Sequence, residues 1–156
     1  MTAKIIKRFN LRINSSTKNI KMEIVCSTDS KYIMPTGIML LSLFESNRGE
    51  VVNVHLLHDH DSAALLDPIR AIAASYQQNI HFYLINDDIF EHFPIGLDFQ
   101  LDHVGTSFAT YYRLYLTEIL PADIDKVIYL DGDILVVDKL VKMWNSSDEN
   151  YAIAAV

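Results

Sequence analysis

The sequence predicts an α/β fold in which a mostly parallel sheet is flanked by helices. Two observations support this prediction: short apolar, β-branched runs recur along the chain, and helical stretches of about 10–15 residues separate them. This alternation is typical of βαβ units. The chain has 156 residues, of which 50% are hydrophobic and 21% are charged, so it can form one domain with a buried core. The same composition excludes disorder and disulfide scaffolds.

The first predicted βαβ unit lies near the start of the chain. Its first strand is Glu23–Ser27, a short apolar run. Pro35 can lie in the first turn of the following helix, where no backbone N–H donor is required, and the helical pattern reaches about Ser46. The second strand is Val51–Leu57, which we expect to be parallel to the first.

The second predicted helix has two alternative starts. Asp67 can cap it with Pro68 at the first helical position, or Ser62 can cap it with Pro68 as an internal kink. The third predicted strand is Ile80–Ile85. Residues 90–103 have no clear period and contain a proline and a glycine, which predicts a loop.

One helix and two further strands are predicted in the last third of the chain. Thr106 or Ser107 caps the helix. Its shared face consists of Phe108, Tyr112, Tyr115 and Ile119. Lys126–Leu130 is the fourth strand, Ile134–Val137 continues extended, and Ala152–Val156 begins another strand. Because a complete domain rarely ends inside a buried strand, we expect the chain to be part of a longer protein.

Charge is distributed unevenly along the chain. Residues 1–21 carry six of the 13 Lys and Arg side chains and no acidic residue. Residues 22–156 carry the other 7 and all 20 acidic residues, a net charge of −13, which repels nucleic-acid phosphates and predicts no nucleic-acid partner. The basic head is interpreted as an extension, either an added strand or an arm that contacts anionic lipid. The single cysteine, Cys26, is expected to be a core residue.

Two acidic segments follow predicted strands at the sheet edge where open α/β folds bind ligands. Ser27-Thr28-Asp29-Ser30 follows the first strand, and Asp131-Gly132-Asp133 follows the fourth. Two carboxylates on either side of a glycine can face one point, because glycine allows the backbone to turn sharply. Their oxygens suit Mg²⁺ or Mn²⁺. The alternative is a turn in which the aspartates bond to the backbone.

Four other polar positions are candidates for chemistry. Arg113 lies among aromatic residues, so it either pairs with an aspartate or holds a substrate hydroxyl or phosphate. The segment His58–Asp61 is either a solvated loop tip or a metal site. Asp87-Asp88 is expected to cap a helix, and His103 is a candidate for lining the cleft. No nucleophilic triad or glycine-rich phosphate loop is recognisable from spacing.

Three sequence blocks closely resemble glycosyltransferase family 8, which includes retaining galactosyl- and glucosyltransferases of bacterial lipopolysaccharide synthesis and the glycogenins. The blocks are residues 24–32 (IVCSTDSKY), 109–116 (ATYYRLYL) and 125–137 (DKVIYLDGDILVV). The resemblance implies that residues 22–156 form a nucleotide-sugar-binding α/β domain of the GT-A type. It also implies metal-dependent transfer from a UDP-sugar with retention of configuration. In that family a histidine beyond this region completes the metal site.

The resemblance further implies roles for residues of this chain. The nucleotide pocket would include Ser27, Thr28, Asp29 and Tyr32. Arg113 would contact the donor's sugar or diphosphate. Asp131 and Asp133 would hold Mn²⁺ or Mg²⁺, and the Asp131-Gly132-Asp133 backbone would lie near the ribose. The metal would stabilise charge on the departing UDP.

The implied partners are a UDP-sugar donor and a saccharide or glycolipid acceptor. A cytoplasmic location is expected, with peripheral contact at the inner membrane face through the basic head and self-association through the unfinished sheet. The alternative function is a non-catalytic nucleotide-sugar-binding module. A phospho-acceptor signalling domain also binds Mg²⁺ in an acidic pocket, but it is disfavoured because no single aspartate stands out as the acceptor.

Overall fold

The computed structural model describes residues 4–7, 20–92, 107–146 and 152–155. The strands in these ranges are β1 (Lys4–Lys7), β2 (Lys21–Thr28), β3 (Val51–His58), β4 (Asn79–Leu84), β5 (Lys126–Tyr129) and β6 (Ile153–Ala155). The α-helices are α1 (Ile33–Ser46), α2 (Ala63–Ser75), α3 (Leu116–Ile119) and α4 (Val141–Asn145). The strands form one six-stranded sheet in the order β4-β3-β2-β5-β1-β6.

The central part of the sheet is parallel, as the alternation of strands and helices predicts. β2 pairs in parallel with β3 along its whole length and with β5 at Ile24 and Val25, and β3 pairs in parallel with β4. β1 is antiparallel to both β5 and β6, so residues 4–7 of the basic head form a strand of the sheet. The predicted α/β class with a mostly parallel sheet is therefore confirmed.

Helices α1 and α2 cover one face of this sheet. Side chains alternate along β2, so Met22, Ile24 and Cys26 point toward the helices and are fully buried. Burial raises the pKa of the Cys26 thiol to about 12, which agrees with a core residue. α2 begins after Ser62 and contains Pro68, so the earlier of its two predicted starts is correct.

The opposite face carries a second core of aromatic and aliphatic side chains, and here one prediction is wrong. Instead of one helix after residue 106 or 107, two 3₁₀ turns at Phe108–Thr110 and Tyr112–Leu114 precede the short helix α3. β-branched and aromatic residues lose side-chain freedom in an α-helix, which weakens that alternative. Tyr112, in the second turn, and Leu116, the first residue of α3, are both buried against the sheet.

Residues 134–137, predicted to continue extended, are not part of a strand of the sheet. The backbone of Val136 is held by α1 side chains: its N–H donates to Ser42 Oγ at 3.0 Å, and Ser46 Oγ donates to its carbonyl at 2.7 Å. One smaller prediction is wrong. The cap before residues 87–90 is Asn86, whose side chain accepts from Asp88 N–H, rather than Asp87-Asp88. No helix within the described ranges is long and apolar enough to cross a membrane.

Candidate functional site

The residues singled out in the two acidic segments meet in one cleft at the carboxyl ends of β2 and β5. Because these strands are parallel neighbours, the segments that follow them leave the sheet at the same edge. The cleft has a volume of about 320 Å³. It is lined by Ser27, Thr28, Asp29, Tyr32, Ser107, Ala109, Thr110, Arg113, Asp131, Gly132 and Asp133. His103 lies outside the described residues.

The segment after β2 is organised by the carboxylate of Asp29, which is only 7% exposed. Its Oδ1 accepts hydrogen bonds from the backbone N–H groups of Lys31 and Tyr32, both at 2.8 Å. This turn leads directly into α1. One oxygen of Asp29 is therefore used to shape the turn, and any ligand contact would fall to the other oxygen.

Arg113 is held by three neighbours at the cleft wall. Its Nη2 atom lies 3.0 Å from Asp131 Oδ1, and its Nε donates to the carbonyl of Thr110 at 2.9 Å. The guanidinium also lies over the Tyr129 ring, 4.8 Å from the ring centre. Of the two alternatives for Arg113, pairing with an aspartate is observed. Because a guanidinium has five N–H donors, the pair leaves donors that can serve a ligand as well.

Tyr129 supports two residues that line the cleft, Ser27 and Arg113, and it was not singled out from the sequence. It is 1% exposed, and its hydroxyl lies 2.6 Å from Ser27 Oγ. Burial raises its pKa from the ordinary value of 10 to about 12. A tyrosine within an otherwise aliphatic buried strand is a usable signal, because its hydroxyl needs a polar partner.

Gly132 is required by close packing. A Cβ atom at this position would lie 2.5 Å from Thr36 Oγ1 and 3.4 Å from the carbonyl oxygen of Ser27. Among described glycines, only Gly49 has a positive φ, so the predicted sharp turn at Gly132 is not the reason for glycine here. Thr36 is fully buried and was not singled out from the sequence.

The chemistry of the donor set fits a hard divalent cation. Asp131 and Asp133 line the same cleft and offer carboxylate oxygens, the ligands that Mg²⁺ and Mn²⁺ prefer. Within the described residues, no group of three or more His, Cys, Asp or Glu side chains is positioned to hold a metal ion. Further oxygens would have to complete the coordination.

The segment His58–Asp61, interpreted from the sequence as a solvated loop tip or a metal site, is only partly exposed to solvent. Asp59 and Asp61 are exposed, but His58 is 3% exposed and its Nδ1 bonds to the carbonyl oxygen of His60. His60 Nδ1 in turn lies 2.8 Å from Asp59 Oδ1. The segment is therefore a loop held by local hydrogen bonds.

A second polar cluster, also missed from the sequence, lies on the same sheet face as the cleft but nearer the amino ends of the strands. We call it the amino-end network, and it consists of Lys21, Glu23, Asn53, His55 and Tyr83. Glu23 Oε1 accepts from Lys21 at 2.9 Å and from Asn53 at 3.1 Å, and Glu23 Oε2 lies 2.9 Å from His55 Nε2. His55 Nδ1 contacts the Tyr83 hydroxyl at 2.9 Å. Both oxygens of the carboxylate are therefore occupied by protein partners.

Comparison with known proteins identifies relatives over most of the chain. The family model described as "Glycosyl transferase family 8" matches residues 23–156. The lipopolysaccharide glucosyltransferase WaaO of Escherichia coli is 27% identical over 143 residues, which cover 90% of this chain and 39% of that protein. The glycosyltransferase GlyF of Streptococcus pneumoniae is 26% identical over 140 residues, which cover 88% of this chain and 32% of that protein.

A solved structure shares the fold. The galactosyltransferase LgtC, determined in complex with donor and acceptor sugar analogues, superposes with a TM-score of 0.66 and 32% sequence identity. The match covers 81% of this chain and 43% of that chain. The chain thus has the GT-A type of fold, and it spans well under half the length of the relatives that it matches.

Proposed function

The chain belongs to glycosyltransferase family 8, and we propose that it forms the donor-binding part of a metal-dependent, retaining glycosyltransferase that uses a UDP-sugar. The observation that carries this proposal is the charge of the cleft. Among the described residues, three carboxylates, Asp29, Asp131 and Asp133, line it together with one guanidinium, Arg113. A diphosphate would be repelled by this surplus of negative charge unless a divalent cation bound with it.

Each side of the cleft has a separate task in this proposal. The segment after β2 receives the nucleotide: Tyr32 is 45% exposed and offers a ring beside the base, and Asp29 offers its second carboxylate oxygen to the uracil. On the opposite side, Arg113 donates to the diphosphate or the sugar, because a guanidinium forms strong charge-assisted bonds with phosphate oxygens.

Asp131 and Asp133 are the residues that would hold Mn²⁺ or Mg²⁺. When bound, the cation acts as a Lewis acid that stabilises negative charge on the departing UDP. Asp131 is already paired with Arg113 through Oδ1, so its carboxylate orients the guanidinium and keeps a second oxygen that could serve a cation. The acceptor in this proposal is a saccharide or lipid-linked saccharide of a cell-surface glycan, by analogy with the lipopolysaccharide glucosyltransferase relative.

The proposal is tested by thermal unfolding of this chain with MnCl₂, with UDP, with both, and with both plus EDTA. A ligand that binds only the folded state at 100 times its Kd adds about 2.7 kcal/mol. We expect the midpoint to rise only when UDP and Mn²⁺ are both present and to fall back with EDTA. The rise should disappear in Asp131→Asn and persist in Asp138→Asn, an exposed carboxylate a few residues further along.

A folded chain whose midpoint is unaffected by UDP and Mn²⁺ would contradict the proposal. A rise of equal size with UDP alone would contradict metal dependence. Release of UDP from UDP-glucose or UDP-galactose, measured on the same preparation, separates transfer or hydrolysis from binding alone. Binding without any turnover would favour the alternative, a nucleotide-sugar-binding module.

A further inference from the structure

We propose that Thr36 is a positioning residue that holds the two halves of the donor cleft at one fixed separation. Thr36 does not line the cleft and is fully buried in the first turn of α1. It nevertheless contacts the segment after β2 on one side and Gly132 on the other. The inference deepens the proposed function and rests on it, since the separation matters only if one ligand spans both halves.

On the first side, Thr36 begins a directed series of hydrogen bonds. Thr36 Oγ1 donates to Thr28 Oγ1 at 3.0 Å, and Thr28 Oγ1 donates to the carbonyl of Asp29 at 3.1 Å. The Asp29 carbonyl can only accept, so the Thr28 hydroxyl donates its one proton there and accepts from the Thr36 hydroxyl, which sets the direction of the series. The orientation of the Asp29 peptide, from which the nucleotide side of the cleft is built, is therefore linked to the Thr36 hydroxyl.

On the second side, Thr36 limits how closely the Asp131-Gly132-Asp133 segment can approach. The space where a Cβ of residue 132 would stand is occupied by Thr36 Oγ1, only 2.5 Å away. The backbone between the two metal-site carboxylates therefore rests against the same oxygen that orients the nucleotide side. A single atom is in contact with both halves of the cleft.

The helix makes Thr36 a rigid reference point for both segments. The backbone N–H of Thr36 donates to the carbonyl of Tyr32 at 2.9 Å. In the next turns of α1, Met39, Leu40 and Leu43 are completely buried. A displacement of the Thr36 backbone would require this packed helix to move, which is costly in a close-packed core, and rotation of its side chain would break the hydrogen bond to Thr28 Oγ1. The cleft halves are thus positioned by the core rather than by each other.

The test is a set of matched variants of this chain, with the affinity for UDP in saturating Mn²⁺ measured by titration calorimetry and apo stability measured by thermal unfolding. Thr36→Val keeps the shape but removes the hydroxyl, and we expect affinity to fall roughly fivefold. Thr36→Ser restores the hydroxyl and should bind within about twofold of the parent. Gly132→Ala should lose on the order of tenfold or more, because its methyl group meets Thr36 Oγ1.

The decisive variant is the double substitution Thr36→Ala with Gly132→Ala. Without Oγ1, the new methyl group would meet ordinary contacts at 3.4 Å and 3.6 Å, so the double variant should bind within about threefold of Thr36→Ala alone. The matched pair Thr36→Val with Gly132→Ala retains the obstacle and should not recover. If Gly132→Ala fails to fold, the Thr36→Val and Thr36→Ser comparison still provides the test.

Three results would overturn the inference. Thr36→Val could lower apo stability and leave UDP affinity unchanged, which would show a purely structural role. The Gly132→Ala loss could be the same in the Thr36→Ala background, which would show that the contact does not set the separation. Absence of Mn²⁺-dependent UDP binding by the folded parent would instead reject the proposed function, and the inference with it.

Discussion

The donor cleft and the amino-end network lie on the same face of one sheet, yet they differ in whether their carboxylates are paired with other groups of the protein. In the amino-end network, both oxygens of Glu23 are engaged by side chains of the protein. In the part of the cleft that the structure describes, three carboxylates and one guanidinium line the wall, and Asp133 is exposed. A polar network whose groups are all bonded to protein partners stabilises the fold, whereas a site with surplus negative charge can bind a ligand. Position along the strands separates the two roles, because the carboxyl ends open to solvent-facing loops.

The largest expected effect is a loss of ligand affinity when the guanidinium of Arg113 is removed from the cleft. Arg113→Ala should weaken UDP-sugar binding in Mn²⁺ by about 10- to 100-fold, because hydrogen bonds to charged groups contribute about 1.5–3 kcal/mol. Arg113→Lys should recover little, since an ammonium group cannot reproduce the planar set of donors. The measurement is calorimetric titration, and Arg48→Ala, an exposed arginine paired with Glu45, is the control. Equal losses in both variants would indicate a general charge effect instead.

The next largest effect is expected on stability, when the charge of Glu23 is removed from the amino-end network. Glu23→Gln keeps the size of the side chain but removes the charge that His55 and Lys21 contact, so unfolding free energy should fall by about 2 kcal/mol. UDP binding in Mn²⁺ should stay within about twofold of the parent, measured by the same titration. A loss of binding as large as that of Arg113→Ala would show that the two regions are coupled.

The pH dependence of stability should also separate the regions. Burial by itself raises the pKa of Glu23, but hydrogen bonds from His55, Lys21 and Asn53 outweigh it and lower the pKa from 4.5 to about 2. The folded-state pKa lies below the unfolded value, so this stabilisation is complete above about pH 4.5 and is lost as the pH falls toward 2.

The stability difference between the parent and Glu23→Gln, followed by thermal unfolding, should therefore shrink as the pH is lowered from about 6 to 2.5. A difference that stays constant over that range would show that the charge of Glu23 contributes nothing to folding.

The smallest effect is expected at Tyr129, which is buried beneath the cleft. Tyr129→Phe retains the ring under Arg113 but loses the hydrogen bond with Ser27, so stability should fall by about 1 kcal/mol and UDP affinity by about two- to threefold. The control is Tyr76→Phe, whose hydroxyl donates to an exposed glutamate and should matter less. If Tyr129→Phe changed neither quantity, the Ser27 contact would not contribute to the cleft.

Most of the regular structure could be predicted from the sequence, because periodicity is a local property. The strands Lys21–Thr28 and Val51–His58 contain the predicted runs, and α1 ends at the predicted Ser46. The segment after residue 106 could not be predicted in the same way. Its aromatic spacing fits a helical face, but the side chains are accommodated by two 3₁₀ turns against the sheet, which tertiary packing decides.

The members of the cleft were also predictable, and the reason is topological. Any residue that follows a strand of a parallel sheet is brought to the carboxyl edge, so Asp29 and Asp131 could be expected to meet. The amino-end network was not predictable, because Glu23 and His55 lie within apolar runs and become partners only through the register of β2 and β3. Register is not encoded in either strand alone.

By itself, the sequence determined the alternation of strands and helices, the acidic segments at the strand ends and the membership of a family. Only the tertiary structure decided which polar groups are hydrogen-bonded to other groups of the protein and which remain available to a ligand. Gly132 shows the difference: in the sequence it indicates a sharp turn, but in the fold it is required because Thr36 Oγ1 occupies the space of its Cβ. The physical reason is that backbone periodicity depends on neighbours in the chain, whereas packing and hydrogen bonding depend on neighbours in space.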